Sequence, residues 1–145
     1  MASTFDLCVK KERIVKERVD MTVINKERSD AERDLLYAKQ HFNEGDMRRA
    51  IQEAYYAIIH ALRGAVLTQG YRAKSQSCLK TALDVLFVKK GKLEANILPD
   101  IDYAFEIRKD LESGYLFTGY LYSEEDGREM VTMAERIVVW TKDLR

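Results

Sequence analysis

The chain is poor in several residues that mark particular classes of protein. It has one proline, two histidines and two cysteines among 145 residues, and its formal net charge is zero. Zero net charge gives no whole-molecule attraction to nucleic acid, although a local basic patch can still exist. Neither His41 nor His60 has a glutamate three residues before it, so a di-metal helical bundle is not expected. We therefore predict no metal site and no cofactor.

Long apolar runs are also lacking. No stretch approaches the roughly 18 apolar residues that a membrane-spanning helix needs, and charges occupy the N-terminal positions where a signal peptide would be apolar. Cys8 and Cys78 have neither a CxxC spacing nor a neighbouring histidine, which is typical of free thiols in a reducing compartment. These features predict a cytoplasmic protein with no membrane span.

Residues 46–69 form the central stretch of the sequence. From Ala54 to Thr68 only Arg63 carries a formal charge, and a helix that is apolar almost all round belongs in the middle of a bundle. Asp46 is suited to cap its first turn, and Gly70 to follow its last. This stretch is predicted to be the central helix.

Polar residues on this helix recur at helical spacing. Tyr56, His60 and Arg63 follow one another at i, i+4 and i+7, which places them together on its less apolar side. His60 is either satisfied by a backbone carbonyl or a tyrosine hydroxyl, or serves as an acid or base if a partner and a cleft exist.

Apolar periodicity and capping signals predict further helices around the central one. Ser29, with Glu32 three residues later, fits a capping box; Ser75 or Ser77 and then Ser123 mark later helix starts. The predicted fold is all-α, an up-and-down bundle of about five helices over residues 29–145. Residues 1–28 are predicted to be an N-terminal extension, helical and with a solvated face of mixed charge.

Arg108 breaks the pattern of the fourth predicted helix. It projects within about 20° of the line through Ile101 and Phe105, on the apolar stripe. Arginine stays protonated in proteins, so a partly buried guanidinium must find anions or acceptors. Either Arg108 pairs with Glu112 while its stem packs on the core, or it lines a cleft or dimer seam and binds phosphate.

The segment GYLFTGYLY, residues 114–122, is rich in aromatic residues. A loop with so many rings usually lies against its own domain or against a partner. It is therefore a candidate docking surface.

Several motifs resemble those of the HEPN domain family, in its short, stand-alone prokaryotic branch. The resemblance is carried by a glycine turn at Gly45, the Ala-Tyr-Tyr-Ala step of residues 54–57 and the Ile-His-Ala step of residues 59–61. It continues through LFVKKGKL, IRKDLESGY and SEEDGREMVTMAERIV, and so covers roughly residues 29–143. The resemblance implies a helical bundle that forms homodimers and is often encoded beside a minimal nucleotidyltransferase.

Many members of that family are ribonuclease toxins of toxin–antitoxin pairs. Their signature is an arginine, then a histidine after four to six residues, often followed by a tyrosine two residues later. Here Arg108 matches the arginine and Tyr115 the tyrosine, but Ser113 stands where a histidine would be. Serine cannot replace imidazole as an acid or base near neutral pH, so the sequence departs from the toxin pattern.

These observations lead to three hypotheses. The first is a dimeric binding module that holds a nucleotide or RNA, or a nucleotidyltransferase partner, through Arg108, Tyr115, Tyr56 and Arg63. The second is a metal-independent endoribonuclease toxin that uses Arg108 with His60 or Tyr115 in place of the missing histidine. The third is a purely structural interaction protein that docks through residues 114–122.

Overall fold

Helices make up most of the fold, and a two-stranded sheet joins distant parts of the chain. The computed structural model describes the backbone of residues 3–113 and 122–144 and the side chains of residues 3–109 and 122–144. The elements in chain order are α1 Thr4–Lys10, β1 Ile14–Lys16, α2 Met21–Asn43, α3 Met47–Thr68, β2 Tyr71–Ala73, α4 Gln76–Leu83, α5 Ile97–Ser113 and α6 Glu124–Lys142. The predicted all-α bundle is confirmed.

Helix α3 is the centre of the bundle, as its apolar sequence predicts. Ile58 and Leu62 have no exposed surface, and α3 packs against α2, α6, α4 and α5. The Asp46 carboxylate accepts the backbone N–H of Arg49 at 3.2 Å, which caps the first turn. Gly70 follows the last turn with φ +82°, a left-handed conformation that glycine adopts without a Cβ clash.

Helix α2 lies antiparallel to α3 and begins earlier than predicted. Its first residue is Met21, because the Asp20 carboxylate accepts the backbone N–H of Thr22 at 2.9 Å and caps the helix there. Ser29 and Glu32 lie inside α2, both exposed, so the predicted helix start at Ser29 is wrong.

The first 20 residues fold differently from the predicted solvated helix. Only Thr4–Lys10 form a helix, whereas Ile14–Lys16 form β1 and pair with β2 in an antiparallel register that places Val15 opposite Arg72. Ile14 is 1% exposed. Burial of this side chain attaches the N-terminal segment to the bundle.

The prediction of two free thiols is also wrong. Cys8 of α1 and Cys78 of α4 form a disulfide, with Cα atoms 5.9 Å apart across 70 residues of sequence. Both residues are buried. Disulfides persist in oxidising compartments and are rare in the cytosol, so the cysteines no longer support a cytoplasmic location.

The second half of the chain completes the core. Ser75 caps α4, a π-helical turn over Asp84–Val88 follows it, and its Phe87 packs edge-to-face on Trp140 of α6 at 5.1 Å between ring centroids. Ser123 caps α6 through a capping box with Asp126, as predicted. Across residues 3–113 and 122–144, no helix is long and apolar enough to cross a bilayer.

Candidate functional site

Helix α3 is largely buried between Ala54 and Leu67, but three side chains in this stretch remain partly or fully exposed to solvent. From Ala54 to Leu67, every side chain of α3 is buried except those of Tyr56, His60 and Arg63. Their spacing places them along one side of the helix, and we call these three residues the open face of α3. The sequence-based grouping of the three is therefore consistent with their exposure.

Arg108 of α5 lies beside one end of this open face. Its guanidinium carbon is 5.4 Å from the centroid of the Tyr56 ring and 5.6 Å from that of the Tyr55 ring. Both distances are within the range of cation–π attraction. The two rings are themselves 5.8 Å apart and inclined by 63°. A permanent cation is thus held over aromatic surface at the edge of the core.

The two tyrosines differ in accessibility because they are adjacent in a helix. Tyr55 is 5% exposed, and its hydroxyl accepts a hydrogen bond from the side-chain amide of Gln76. Tyr56 is half-buried, and its hydroxyl lies 3.5 Å from the amide nitrogen of Gln52. Tyr55 therefore anchors the cluster, whereas Tyr56 keeps an accessible surface.

His60, one turn after Tyr56, is oriented by carboxylates of α2. Its Nδ1–H donates to Glu27 Oε2 at 2.9 Å, because an ionised carboxylate can only accept. Its Nε2 lies 3.7 Å from Asp34 Oδ2. The hydrogen bond to Glu27 raises the pKa of His60, with Asp34 and Asp30 adding to the rise against the opposing effect of burial. The imidazolium form is thereby favoured.

The polar contacts between α2 and α3 continue towards the turn that joins them. His41 Nδ1 and Glu53 Oε2 are 2.7 Å apart, and this hydrogen bond raises the pKa of His41. Burial raises the pKa of the Asp34 carboxyl between the two pairs. A seam of histidines and carboxylates thus runs along one side of the α2–α3 contact.

The carboxylates that hold His60 are not among the site residues predicted from the sequence. Glu27, Asp34 and His41 recur every seven residues, which places them on one face of a helix. Because the helix was predicted to start at Ser29, Glu27 was assigned to a separate segment. A correct helix start would have grouped the three residues.

The other predicted site residues lie away from the Arg108–Tyr56 contact or outside the described part of the chain. Arg63 is exposed, two turns of α3 beyond Tyr56. Tyr115 lies outside the described residues, as does all of the candidate docking segment except Tyr122, and the side chains of Glu112 and Ser113 are not described either. Within the described part of the chain, no three His, Cys, Asp or Glu side chains are grouped so that they could hold a metal ion.

The family model described as HEPN domain matches residues 26–144. No curated protein matches the chain. The matched range includes α3 and α5, which carry Tyr56, His60, Arg63 and Arg108.

Proposed function

We propose that the primary role of this protein is to bind RNA, because the chain belongs to the HEPN domain family. Membership of this family is compatible with an RNA-related or nuclease-like function. The supporting observation is the Arg108 guanidinium held 5.4 Å from the half-buried ring of Tyr56. Single-stranded RNA is recognised by stacking of its bases on aromatic rings or guanidinium planes, and by cations that contact its phosphates. Arg108 and Tyr56 provide both kinds of contact at one place.

Arg108→Ala is expected to weaken the binding of a fluorescent single-stranded RNA by about 10- to 100-fold, since hydrogen bonds to charged groups are worth about 1.5–3 kcal/mol. Fluorescence anisotropy at fixed ionic strength measures the Kd. Arg136→Ala is the matched control, because this arginine of α6 pairs with Asp100 of α5, and the Kd of the variant should stay within twofold of that of the unaltered protein. Equal affinities for Arg108→Ala and the unaltered protein would contradict the proposal.

A second candidate function is metal-independent RNA cleavage. It is favoured by His60, since a histidine oriented by a carboxylate is the usual arrangement of an acid–base catalyst. A raised pKa keeps His60 protonated closer to neutral pH, which suits proton donation to the 5′-oxygen. In that step the 2′-oxygen bonds to phosphorus as the bond from phosphorus to the 5′-oxygen breaks, and the 2′-hydroxyl proton passes to water. His60 is one turn from Tyr56, where the RNA is proposed to lie.

We expect structured RNA to be cleaved in the presence of a chelator if this second function holds. His60→Gln should then reduce the cleavage rate by about 100-fold or more, as is typical when a general acid is lost, while RNA affinity changes little. Cleavage is followed by gel electrophoresis of end-labelled RNA. Absence of cleavage by the unaltered protein would leave only the binding function.

We also propose how the protein assembles with itself and with a partner. HEPN domains commonly dimerise, and we infer a homodimer that works with a minimal nucleotidyltransferase in a toxin–antitoxin pair. This inference is supported by membership of the HEPN domain family. The sequence features of residues 114–122 make that segment the candidate surface for a protein partner.

A further inference from the structure

A second basic site lies at the Arg63 end of the open face of α3. A pocket of about 320 Å³ opens there, next to the Glu27 carboxylate that holds His60. We call it the strand pocket, because strand β2 and the residue that follows it form one wall. Its lining residues are Glu27, Arg63, Leu67, Arg72, Ala73 and Lys74.

The pairing of β1 with β2 builds this wall. The backbone N–H of Lys74 donates to the Arg13 carbonyl at 2.7 Å, and the backbone N–H of Glu17 donates to the Gly70 carbonyl at 2.9 Å. These bonds fix β2 and Lys74 beside the last turns of α3. The N-terminal segment thus shapes the pocket through its backbone.

Arg72 is held in place by a carboxylate of the same segment. Its Nε donates to both carboxylate oxygens of Glu17 at 2.9 Å, and its Nη2 lies 2.8 Å from Glu17 Oε2. A guanidinium has five N–H donors, so Arg72 keeps donors for a further acceptor. Its side chain is 42% exposed and therefore accessible to a ligand.

The pocket carries a positive charge that the nearby carboxylates do not neutralise. Its lining contains three cations, Arg63, Arg72 and Lys74, and one carboxylate, Glu27. Glu17, outside the lining, pairs with Arg72, so counting both carboxylates still leaves one net positive charge. Arg63 and Lys74 are exposed and form no ion pair within residues 3–109 and 122–144. Two exposed cations beside one guanidinium held by Glu17 suit a phosphodiester group, which offers several acceptor oxygens.

We propose that the strand pocket binds a backbone phosphate of the same single-stranded RNA whose base stacks at Tyr56, so the ligand is an oligonucleotide rather than a mononucleotide. This inference rests on the proposed function. Tyr56 and Arg63 are seven residues apart on α3, or about 10 Å along its axis. At the roughly 3.4 Å rise of a stacked strand, this distance corresponds to about three nucleotides. The RNA therefore lies along the open face, past His60, from Arg108 to Arg72.

The test is the dependence of affinity on RNA length. The unaltered protein should bind an eight-nucleotide single strand at least about tenfold more tightly than a dinucleotide, because only the longer strand reaches the strand pocket. Arg63→Gln with Lys74→Gln should remove this gain, so that the variant binds the two RNAs with similar affinities. The slope of log affinity against log salt for the longer strand should fall by about 1.4, which is the value for two lost phosphate contacts on single strands.

A matched double variant, Lys90→Gln with Lys92→Gln, removes the same charge from two exposed lysines outside the pocket, and it should behave as the unaltered protein does. All altered side chains are exposed, and circular dichroism verifies that the variants fold. Equal effects of the two double variants would overturn the strand pocket while leaving the Arg108 site standing. Loss of affinity in the Arg63/Lys74 variant but not in Arg108→Ala would sustain the pocket and refute the Arg108–Tyr56 site of the proposed function. No binding of RNA by the unaltered protein would refute both.

Discussion

Phe87→Ala is expected to lower the free energy of unfolding by about 3–5 kcal/mol, the usual cost of removing a buried phenylalanine. Phe87 has no exposed surface and packs on Trp140 between the π-helical turn and α6, so alanine would leave a cavity and remove an aromatic pair. Chemical denaturation measures the change, and the Tm should fall by roughly 10 °C or more.

Val139→Ala is the control for this substitution. Val139 is the neighbour of Trp140 in α6 and is 60% exposed, so its truncation should change stability by less than about 0.5 kcal/mol. If Phe87→Ala cost no more than this control, the packing of the π-helical turn against α6 would be refuted.

Removal of the Cys8–Cys78 disulfide is expected to destabilise the fold by about 4 kcal/mol, because the crosslink constrains 70 residues of the unfolded chain. Reduction should therefore lower the Tm of the unaltered protein to that of a Cys8→Ser, Cys78→Ser double variant. The reductant itself should leave the Tm of the double variant unchanged.

The redox state of Cys8 and Cys78 can also be measured directly. Thiol titration in denaturant without reductant should find no free thiol in protein purified under oxidising conditions. Two reactive thiols, together with a Tm that does not respond to reductant, would contradict the crosslink. The earlier prediction of reduced cysteines would then stand.

Local patterns in the sequence predicted the parts of the fold that depend on local interactions. The periodicity of α3 and the caps at Asp46 and Ser123 are properties of residues within a few positions of one another. Ser29 shows the limit of such rules, since it satisfies a capping-box pattern in the middle of a helix. Asp20 caps the same helix more than two turns earlier, and no local rule chooses between the two starts.

Non-local contacts account for the features that the sequence did not predict. Strands β1 and β2 are three residues each and are separated by α2 and α3, so neither strand has a pattern long enough to recognise. The pairing of Cys8 with Cys78 depends equally on the folded arrangement of α1 and α4.

The candidate site likewise combines features that local sequence patterns predict with features that only tertiary contacts create. Regular helical spacing was enough to group Tyr56, His60 and Arg63, and a helical wheel was enough to place Arg108 on the apolar side of α5. The Glu27 and Asp34 contacts to His60, and the strand pocket, are formed by other elements packing on α3. Their contribution follows only from the tertiary structure.

The early start of α2 has a practical consequence for dissecting the protein. A chain shortened to residues 29–145 would begin more than two turns inside α2. It would lack the Asp20 cap, the Glu27 partner of His60 and the Glu17 partner of Arg72, and Cys78 would have no cysteine with which to pair. The first 28 residues therefore hold His60 and Arg72 in their observed positions, and a measurement on the shortened chain would describe a different molecule.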